Sequence, residues 1–228
     1  MKELEKLGMI CDEIGDNIEL TQGTGGNLSV KTPEGMFIKA SGVTVSEMMP
    51  RNAMVLLDHE MVAGMHANVE DEETARKHVQ TSIIEAGEFK PSIETHFHSY
   101  LPKYVVHTHP LFTNVMLCSK SCKKQLKKAY PDLAYALIPY QRPGFYLSKE
   151  IFKAYGGGSP AIFFLQNHGL IVASDDHEEA VKITQEINNK ARWSELQMKT
   201  KSFSPGNMLI TCSITVMPST SKSILGIL

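Results

Sequence analysis

The feature that most constrains the fold of this chain is an irregular alternation of helices with short apolar strands, several of them joined by tight turns. Residues 161–166 and 170–173 are two apolar runs of strand length, and only Asn167-His168-Gly169 separates them. Short apolar runs bounded by turn residues are typical of buried strands. Tight turns join antiparallel neighbours, whereas parallel strands need a long crossover. The pattern therefore favours an α/β or α+β layered domain with a mixed sheet over a purely parallel sheet.

Periodicity along the rest of the chain predicts the other elements. A helical period predicts helices over residues 3–18, 69–86, 94–100, 111–128, 148–154 and 177–196. Alternation and β-branched residues predict strands over 28–30, 36–40, 53–57, 104–109 and 136–139. Residues 1–199 are expected to form one domain. Residues 200–228 are rich in Ser and Thr and lack a helical period, so we expect an irregular tail there.

The charge balance and hydropathy exclude several classes of partner. The 228 residues include 23 Lys and Arg against 25 Asp and Glu, so the chain lacks the basic excess of a broad nucleic-acid surface. No run approaches 18 apolar residues, the length that a membrane-spanning helix needs. The first residues are acidic and amphipathic, unlike a secretory signal. We therefore expect a cytoplasmic protein that binds neither nucleic acid nor membrane.

Histidines carry the first chemical signal. Four of the nine histidines, namely His96, His98, His107 and His109, lie within 14 residues. Alternate residues of a strand point to the same face, so His107 and His109 can reach one metal ion without backbone distortion. Taken alone the pair is weak evidence, because most such pairs are surface or core histidines.

Two further residues extend the histidine pair into a possible catalytic centre. His168 follows a buried strand and is well placed to be a third ligand, although a hydrogen-bonded turn histidine would look the same. Three neutral imidazoles leave an open position on Zn²⁺, as in catalytic sites. Glu94 can ligate such a metal or act as a general acid/base. A glutamate at a helix start is also common because it interacts favourably with the helix dipole.

Glycine-rich turns provide a possible anion site. Backbone N–H groups in such turns, helped by hydroxyl and amide side chains, can hold an anion. The residues concerned are Thr24, Gly25, Gly26, Asn27, Ser41, Gly42 and Ser92. They match neither the P-loop nor the G-x-G-x-x-G pattern. Without other support, two ordinary hairpin turns would be the better interpretation.

Taken together, these segments are far more specific than any one of them. In chain order they read GTGGNLSV, IKASGV, PSIETHFH, VVHTHP, IPYQRPG and FLQNHGLIVA. Over roughly residues 3–197 the chain resembles the class II aldolase/adducin family. The resemblance implies a three-layer α/β/α sandwich around a mixed, mostly antiparallel sheet. It also implies a homo-oligomer, commonly a tetramer, with active sites between neighbouring subunits.

The resemblance also implies a role for each candidate residue. His107, His109 and His168 match the ligands of one Zn²⁺ ion per subunit, and Glu94 matches the acid/base. The substrate phosphate is expected at Thr24, Gly26, Asn27, Ser41, Gly42 and Ser92. The implied reaction cleaves a ketose 1-phosphate into dihydroxyacetone phosphate and an aldehyde through a metal-stabilised enediolate. This makes a zinc-dependent lyase acting on a small sugar phosphate the first hypothesis.

Departures from the family pattern leave alternatives open. Ser92-Ile93-Glu94 has one hydroxyl fewer than the phosphate segment of the best-known aldolases. The short span between His98 and His107 resembles bacterial members in which an aldolase domain accompanies a dehydrogenase domain. An epimerase or a dehydratase could use the same site, and Tyr130 or Tyr135 could assist proton transfer at a neighbouring subunit. A non-catalytic, adducin-like binding module and an enzyme that lost activity with its altered tail are the remaining alternatives.

Overall fold

The computed structural model describes residues 2–64, 69 and 71–201. Its helices are α1 (Lys2–Gly15), α2 (His59–Gly64), α3 (Glu72–Thr81), α4 (Thr95–Tyr100), α5 (Leu111–Leu117), α6 (Cys122–Ala129), α7 (Phe145–Ala154) and α8 (His177–Lys201). Its strands are β1 (Asn27–Thr32), β2 (Gly35–Lys39), β3 (Met54–Leu57), β4 (Ile83–Glu85), β5 (Tyr104–Thr108), β6 (Ala136–Ile138), β7 (Ala161–Leu165) and β8 (Gly169–Ser174).

All eight strands belong to one sheet with the order β4-β3-β2-β1-β5-β8-β7-β6. Every neighbouring pair is antiparallel except β6 and β7, which are parallel. The predicted mixed, mostly antiparallel sheet is therefore confirmed. Strand β5 lies between β1 and β8, so its residues are hydrogen-bonded on both sides. In that register His107 lies opposite Asn27 on one side and Ile171 on the other.

Side-chain alternation along the strands divides the core into two helical layers. On one face, β1, β5, β7 and β8 contribute residues such as Leu28, Val106 and Val172 to a core with α1, α5, α6 and α8. On the other face, β5, β7 and β8 pack against α4 and α7, and β2 and β3 pack against α2 and α3. Because the sheet buries both faces, the chain forms the expected three-layer α/β/α sandwich.

Two predicted helices are wrong in extent. The helix over 69–86 is instead α3 followed by β4, because Ser82 ends the helix and Ile83 then pairs with Leu57 of β3. The helix over 111–128 is interrupted between α5 and α6. There the hydroxyl of Ser119 accepts a hydrogen bond from the backbone N–H of Ser121 at 3.2 Å. Serine side chains that bond nearby backbone in this way compete with helical hydrogen bonds.

The other helices differ less between the sequence prediction and the structure. The predicted cap at Asp71 is confirmed, since its carboxylate accepts a hydrogen bond from the backbone N–H of Thr74 at 2.8 Å. Helix α7 begins three residues earlier than predicted, α2 was not predicted, and α8 continues to Lys201. Residues 202–228 lie outside the described part, so the irregular tail stays a prediction. Along the described helices, none combines the length and apolar character needed to cross a membrane.

Candidate metal centre

His107 is the best-anchored member of the histidine group. It lies near the end of β5 and is fully buried. Its Nδ1 lies 3.0 Å from the carbonyl oxygen of Leu170. A carbonyl only accepts hydrogen bonds, so Nδ1 must carry a proton, and Nε2 is the nitrogen that can coordinate a metal. A hydrogen bond of this kind fixes the tautomer and the ring orientation of metal-binding histidines.

His109 and His168 bring their rings to the same point. The ring centroids of His107, His109 and His168 lie 5.0 to 5.1 Å from one another. One ligand nitrogen from each ring lies within 4.8 Å of the other two. His168 occupies the turn between β7 and β8, where its backbone carbonyl accepts a hydrogen bond from the Asn114 amide at 3.0 Å. The structure therefore brings together all three histidines that the sequence suggested.

Glu94 faces two of these histidines. Its Oε2 lies 3.3 Å from His107 Nε2, and its Oε1 lies 3.4 Å from His168 Nε2. Burial by itself would raise the pKa of this carboxyl. The imidazoles of His107 and His168, with a hydrogen bond from Asn27, outweigh burial, and the pKa falls below its ordinary value. The group is therefore an ionised carboxylate at neutral pH.

The imidazoles of His109 and His168 are neutral and can donate a lone pair to a metal ion. Burial, followed by the nearby His107, lowers the pKa of His109 to about 3. Burial and His107 also lower the pKa of His168 to about 4. Both rings therefore keep a lone pair for coordination at pH 7, since a protonated imidazole cannot bind a metal.

The donor set fits a catalytic zinc ion. Three imidazoles and an adjacent carboxylate are ligands that Zn²⁺ accepts, and three protein ligands leave a position for substrate. Among the described residues, Glu94 Oε1 and His168 Nδ1 are buried without a hydrogen-bond partner. His107 Nε2 and His109 Nε2 lie only 3.2 Å apart. Convergent nitrogen lone pairs repel one another unless a cation or proton lies between them, so the arrangement suits a metal ion.

Glycines allow the backbone to approach the histidines closely. A Cβ atom at Gly169 would lie 2.4 Å from the carbonyl oxygen of Thr108 and 2.9 Å from His109 Cδ2. A Cβ atom at Gly25 would lie 2.7 Å from His109 Nδ1. The sequence marked Gly25 and Gly169 only as turn residues. Their contacts show that each turn depends on glycine because it packs directly against the metal centre.

The turns of the predicted anion site also converge. Ala40 forms a bridge with Pro91, and the Ser41 N–H donates to the Lys90 carbonyl at 2.9 Å, which holds these two segments together. Asn27 Nδ2 donates to Ser92 Oγ at 3.4 Å. Of the six residues expected at the phosphate, Gly26 and Asn27 are buried, Ser92 is half-buried, and Thr24, Ser41 and Gly42 are exposed. Their role in phosphate binding stays a prediction.

Lys39 links these turns, although the sequence patterns predicted no role for it. Its side chain is 2% exposed, and its Nζ donates to the carbonyls of Thr24 at 3.4 Å and Val43 at 2.6 Å. Burial lowers its pKa to about 8, and the Glu94 carboxylate partly offsets that effect. A lysine in an alternating strand gives no signal of burial, because its acceptors are backbone carbonyls, which every residue carries. His98, which contacts Asn27, and Ser29, which contacts His98, were also given no role.

The two tyrosine candidates occupy different environments. Tyr130 is buried, and its hydroxyl donates to the Ile187 carbonyl at 2.6 Å. Tyr135 is half-buried, with its ring centroid 5.0 Å from that of Phe164. The Tyr130 hydroxyl is therefore already engaged within this chain, and a role for either tyrosine in proton transfer stays a prediction.

Substitution of Gly169 tests the close approach at the metal centre. The added methyl group of Gly169→Ala must displace the Thr108 backbone or the His109 ring. We expect a stability loss of about 1–3 kcal/mol and a fall of at least about tenfold in zinc affinity. Gly64→Ala is the control, because a Cβ there meets nothing within 4 Å. Chelator competition and chemical denaturation measure both effects, and unchanged zinc affinity in Gly169→Ala would contradict the packing argument.

The buried histidines predict how pH affects the metal-free protein. His168 binds a proton near its ordinary pKa of 6.5 when unfolded, but only near 4 when folded. The unfolded state is therefore favoured as the pH falls from about 6.5 towards 4. Each such group lowers the free energy of unfolding by up to about 1.4 kcal/mol per pH unit. Denaturation at several pH values should show a shallower dependence in His168→Gln, and an identical slope would contradict the prediction.

Comparisons with known proteins agree with the geometry. Residues 6–194 match the profile described as Class II Aldolase and Adducin N-terminal domain. The protein named Uncharacterized oxidoreductase YuxG, from Bacillus subtilis (strain 168), is 30% identical in an alignment over 202 residues. The alignment covers 83% of this chain and 29% of YuxG, so the chain spans less than a third of that relative.

Solved structures show the same fold at low identity. The N-terminal class II aldolase domain of a conserved protein from Thermoplasma acidophilum has a TM-score of 0.75 at 24% identity, covering 85% of this chain and 93% of that domain. An L-fuculose 1-phosphate aldolase has a TM-score of 0.60 at 21% identity, covering 91% of this chain and 90% of its own. With the family profile matching most of its length, the chain belongs to the class II aldolase and adducin family.

Proposed function

We propose that this chain is a zinc-dependent lyase that cleaves a ketose 1-phosphate into dihydroxyacetone phosphate and an aldehyde. The observation that carries the proposal is the position of Glu94, whose two carboxylate oxygens face His107 and His168 at 3.3 and 3.4 Å. A family member that only binds partners needs neither three convergent imidazoles nor a buried carboxylate beside them. Retaining all four groups in contact supports catalysis.

Zn²⁺ held by the three histidines would supply Lewis-acid stabilisation of the negative charge that develops on the substrate oxygens. Three imidazole donors favour zinc over harder ions. Glu94 is the group that moves the proton at the reacting carbon. Its Oε2 accepts a hydrogen bond from Asn27 Nδ2 at 2.9 Å, whereas its Oε1 has no hydrogen-bond partner among the described residues. Oε1 is therefore the oxygen available to take and return a proton.

The convergent turns would anchor the substrate phosphate. Backbone N–H groups at Gly26 and Gly42, with the hydroxyls of Thr24, Ser41 and Ser92, are donors suited to a phosphate. The buried Lys39 lies behind the Thr24 turn and adds positive charge there. Binding energy from the phosphate would fix the reacting carbons against Glu94, as remote binding energy does generally.

Competing activities are weaker candidates. An epimerase or a dehydratase could use the same ligands, and only substrate trials separate them from an aldolase. YuxG is named an oxidoreductase. That name describes a protein of which this chain spans 29%, and the residues that the chain does contain place Glu94 beside His107 and His168, which favours a lyase. One zinc ion per subunit, a homotetramer and a cytoplasmic location complete the proposal.

Proton exchange tests this function without knowing the aldehyde. Zinc-loaded protein is incubated with dihydroxyacetone phosphate in D₂O, and the C3 protons are followed by NMR. We expect stereospecific exchange that falls at least about 100-fold in Glu94→Gln, since general acid–base groups contribute 10²–10⁴-fold. Glu94→Gln should still bind zinc, because the three histidines remain. Exchange at the normal rate in Glu94→Gln, or none in zinc-loaded wild type, would overturn the assignment.

A further inference from the structure

A line of buried hydrogen bonds leads from β1 through α4 to Glu94. Ser29 Oγ lies 2.7 Å from His98 Nδ1, and His98 Nε2 contacts Asn27 Oδ1. Asn27 Nδ2 then donates to Glu94 Oε2 at 2.9 Å. Ser29 and His98 are fully buried, and Asn27 is 3% exposed. None of the proposed roles for metal or phosphate binding uses Ser29 or His98.

The donors and acceptors in this line run in one direction. Asn27 Oδ1 is a carbonyl oxygen and only accepts, so His98 Nε2 must carry the proton. His98 is completely buried, which lowers its pKa well below the ordinary value and keeps the ring neutral. A neutral ring that is protonated on Nε2 has an acceptor at Nδ1, so the Ser29 hydroxyl donates to it. The order of donation is Ser29 to His98 to Asn27 to Glu94.

The Glu94 carboxylate only accepts hydrogen bonds, so it requires the Nδ2 end of the Asn27 amide, and the Oδ1 end then faces His98. An asparagine side chain can rotate by half a turn and exchange its oxygen and nitrogen at little steric cost. The rotated amide would direct Oδ1 at Glu94 Oε2, and two acceptors would then repel. His98 prevents that rotation because its Nε2–H needs the Oδ1 acceptor in a site that water cannot reach. The imidazole thus acts on Glu94 without touching it.

We propose that His98 is a positioning residue for the Glu94 acid/base: by holding the Asn27 amide in one orientation, it fixes Oε2 and leaves Oε1 to carry the proton. Ser29 supports this role by donating its hydroxyl proton to His98 Nδ1, which holds the ring in place. The expected effect on catalysis rests on the proposed lyase function. The orientation of the His98 ring and of the Asn27 amide is independent of that function.

Two substitutions at His98 separate positioning from bulk packing. His98→Leu removes the donor to Asn27, whereas His98→Gln can place an amide N–H against Asn27 Oδ1 and its carbonyl against Ser29. Tyr100→Phe is the matched control, since it deletes a partly buried hydrogen bond from the same helix to the Ser148 carbonyl. For each variant, zinc affinity is measured by chelator competition and proton exchange is measured as kcat and KM.

We expect His98→Leu to lower kcat for exchange about 10- to 100-fold, as loss of a supporting hydrogen-bond partner typically does. Its zinc affinity should stay within about threefold of wild type, because the three ligands are intact. His98→Gln should recover kcat to within about threefold, and Tyr100→Phe should leave it unchanged. Wild-type kcat in His98→Leu, or an equal loss in His98→Gln, would overturn the proposal.

Imidazole ¹⁵N NMR of the metal-free wild-type protein tests the same line without any turnover. We expect the neutral His98 ring to carry its proton on Nε2, and this signature should persist when zinc is added. A proton on Nδ1 would overturn the proposal even if the enzyme is active. If zinc-loaded wild type shows no exchange but His98 has the Nε2–H form, the lyase function fails while the positioning contact stands. If His98→Leu does not fold, His98→Gln and the tautomer decide the outcome.

Discussion

The pairing of β5 between β1 and β8 is the constraint on which the rest of the site depends. It places His107 opposite Asn27 and Ile171, and it brings the Leu170 carbonyl onto His107 Nδ1. A shift of one residue in this register would turn His107 to the other face of the sheet and separate it from His109 and His168. The same register makes Gly169 approach the Thr108 carbonyl so closely that no side chain fits. The register of β5 therefore also sets the positions of the histidine ligands.

The two charged side chains around the metal centre, Glu94 and Lys39, are both buried. The Glu94 carboxylate lies between the imidazoles of His107 and His168 on one side and the Asn27 amide on the other. The Lys39 ammonium lies among backbone carbonyls behind the turns of the predicted anion site. Buried charges are costly unless hydrogen bonds satisfy them. Here backbone and amide groups do so, and Glu94 Oε1 is left without a hydrogen-bond partner in the part of the chain that the structure describes. This oxygen is the one to which the proposed chemistry gives the proton.

Sequence patterns predicted the parts of this arrangement that follow from local periodicity. The spacing of His107 and His109, the turn position of His168 and the alternation of the strands all report local geometry, and the structure agrees with them. Helical periodicity failed over 69–86, because Val79 and Ile83 fit a helical spacing although Ile83 pairs with β3. Lys39 and His98 could not be assigned, since His98 meets Asn27 across 71 residues of chain. Such contacts exist only once the sheet is formed.

Binding of one metal ion by His107, His109 and His168 is the central claim, and anomalous diffraction from crystals of the zinc-loaded protein tests it most directly. Data collected on both sides of the zinc absorption edge locate the ion without reference to activity. The account predicts one peak per chain, about 2.0–2.1 Å from a nitrogen of each of the three rings. A peak at other side chains, or no peak among these histidines in fully loaded protein, would contradict it.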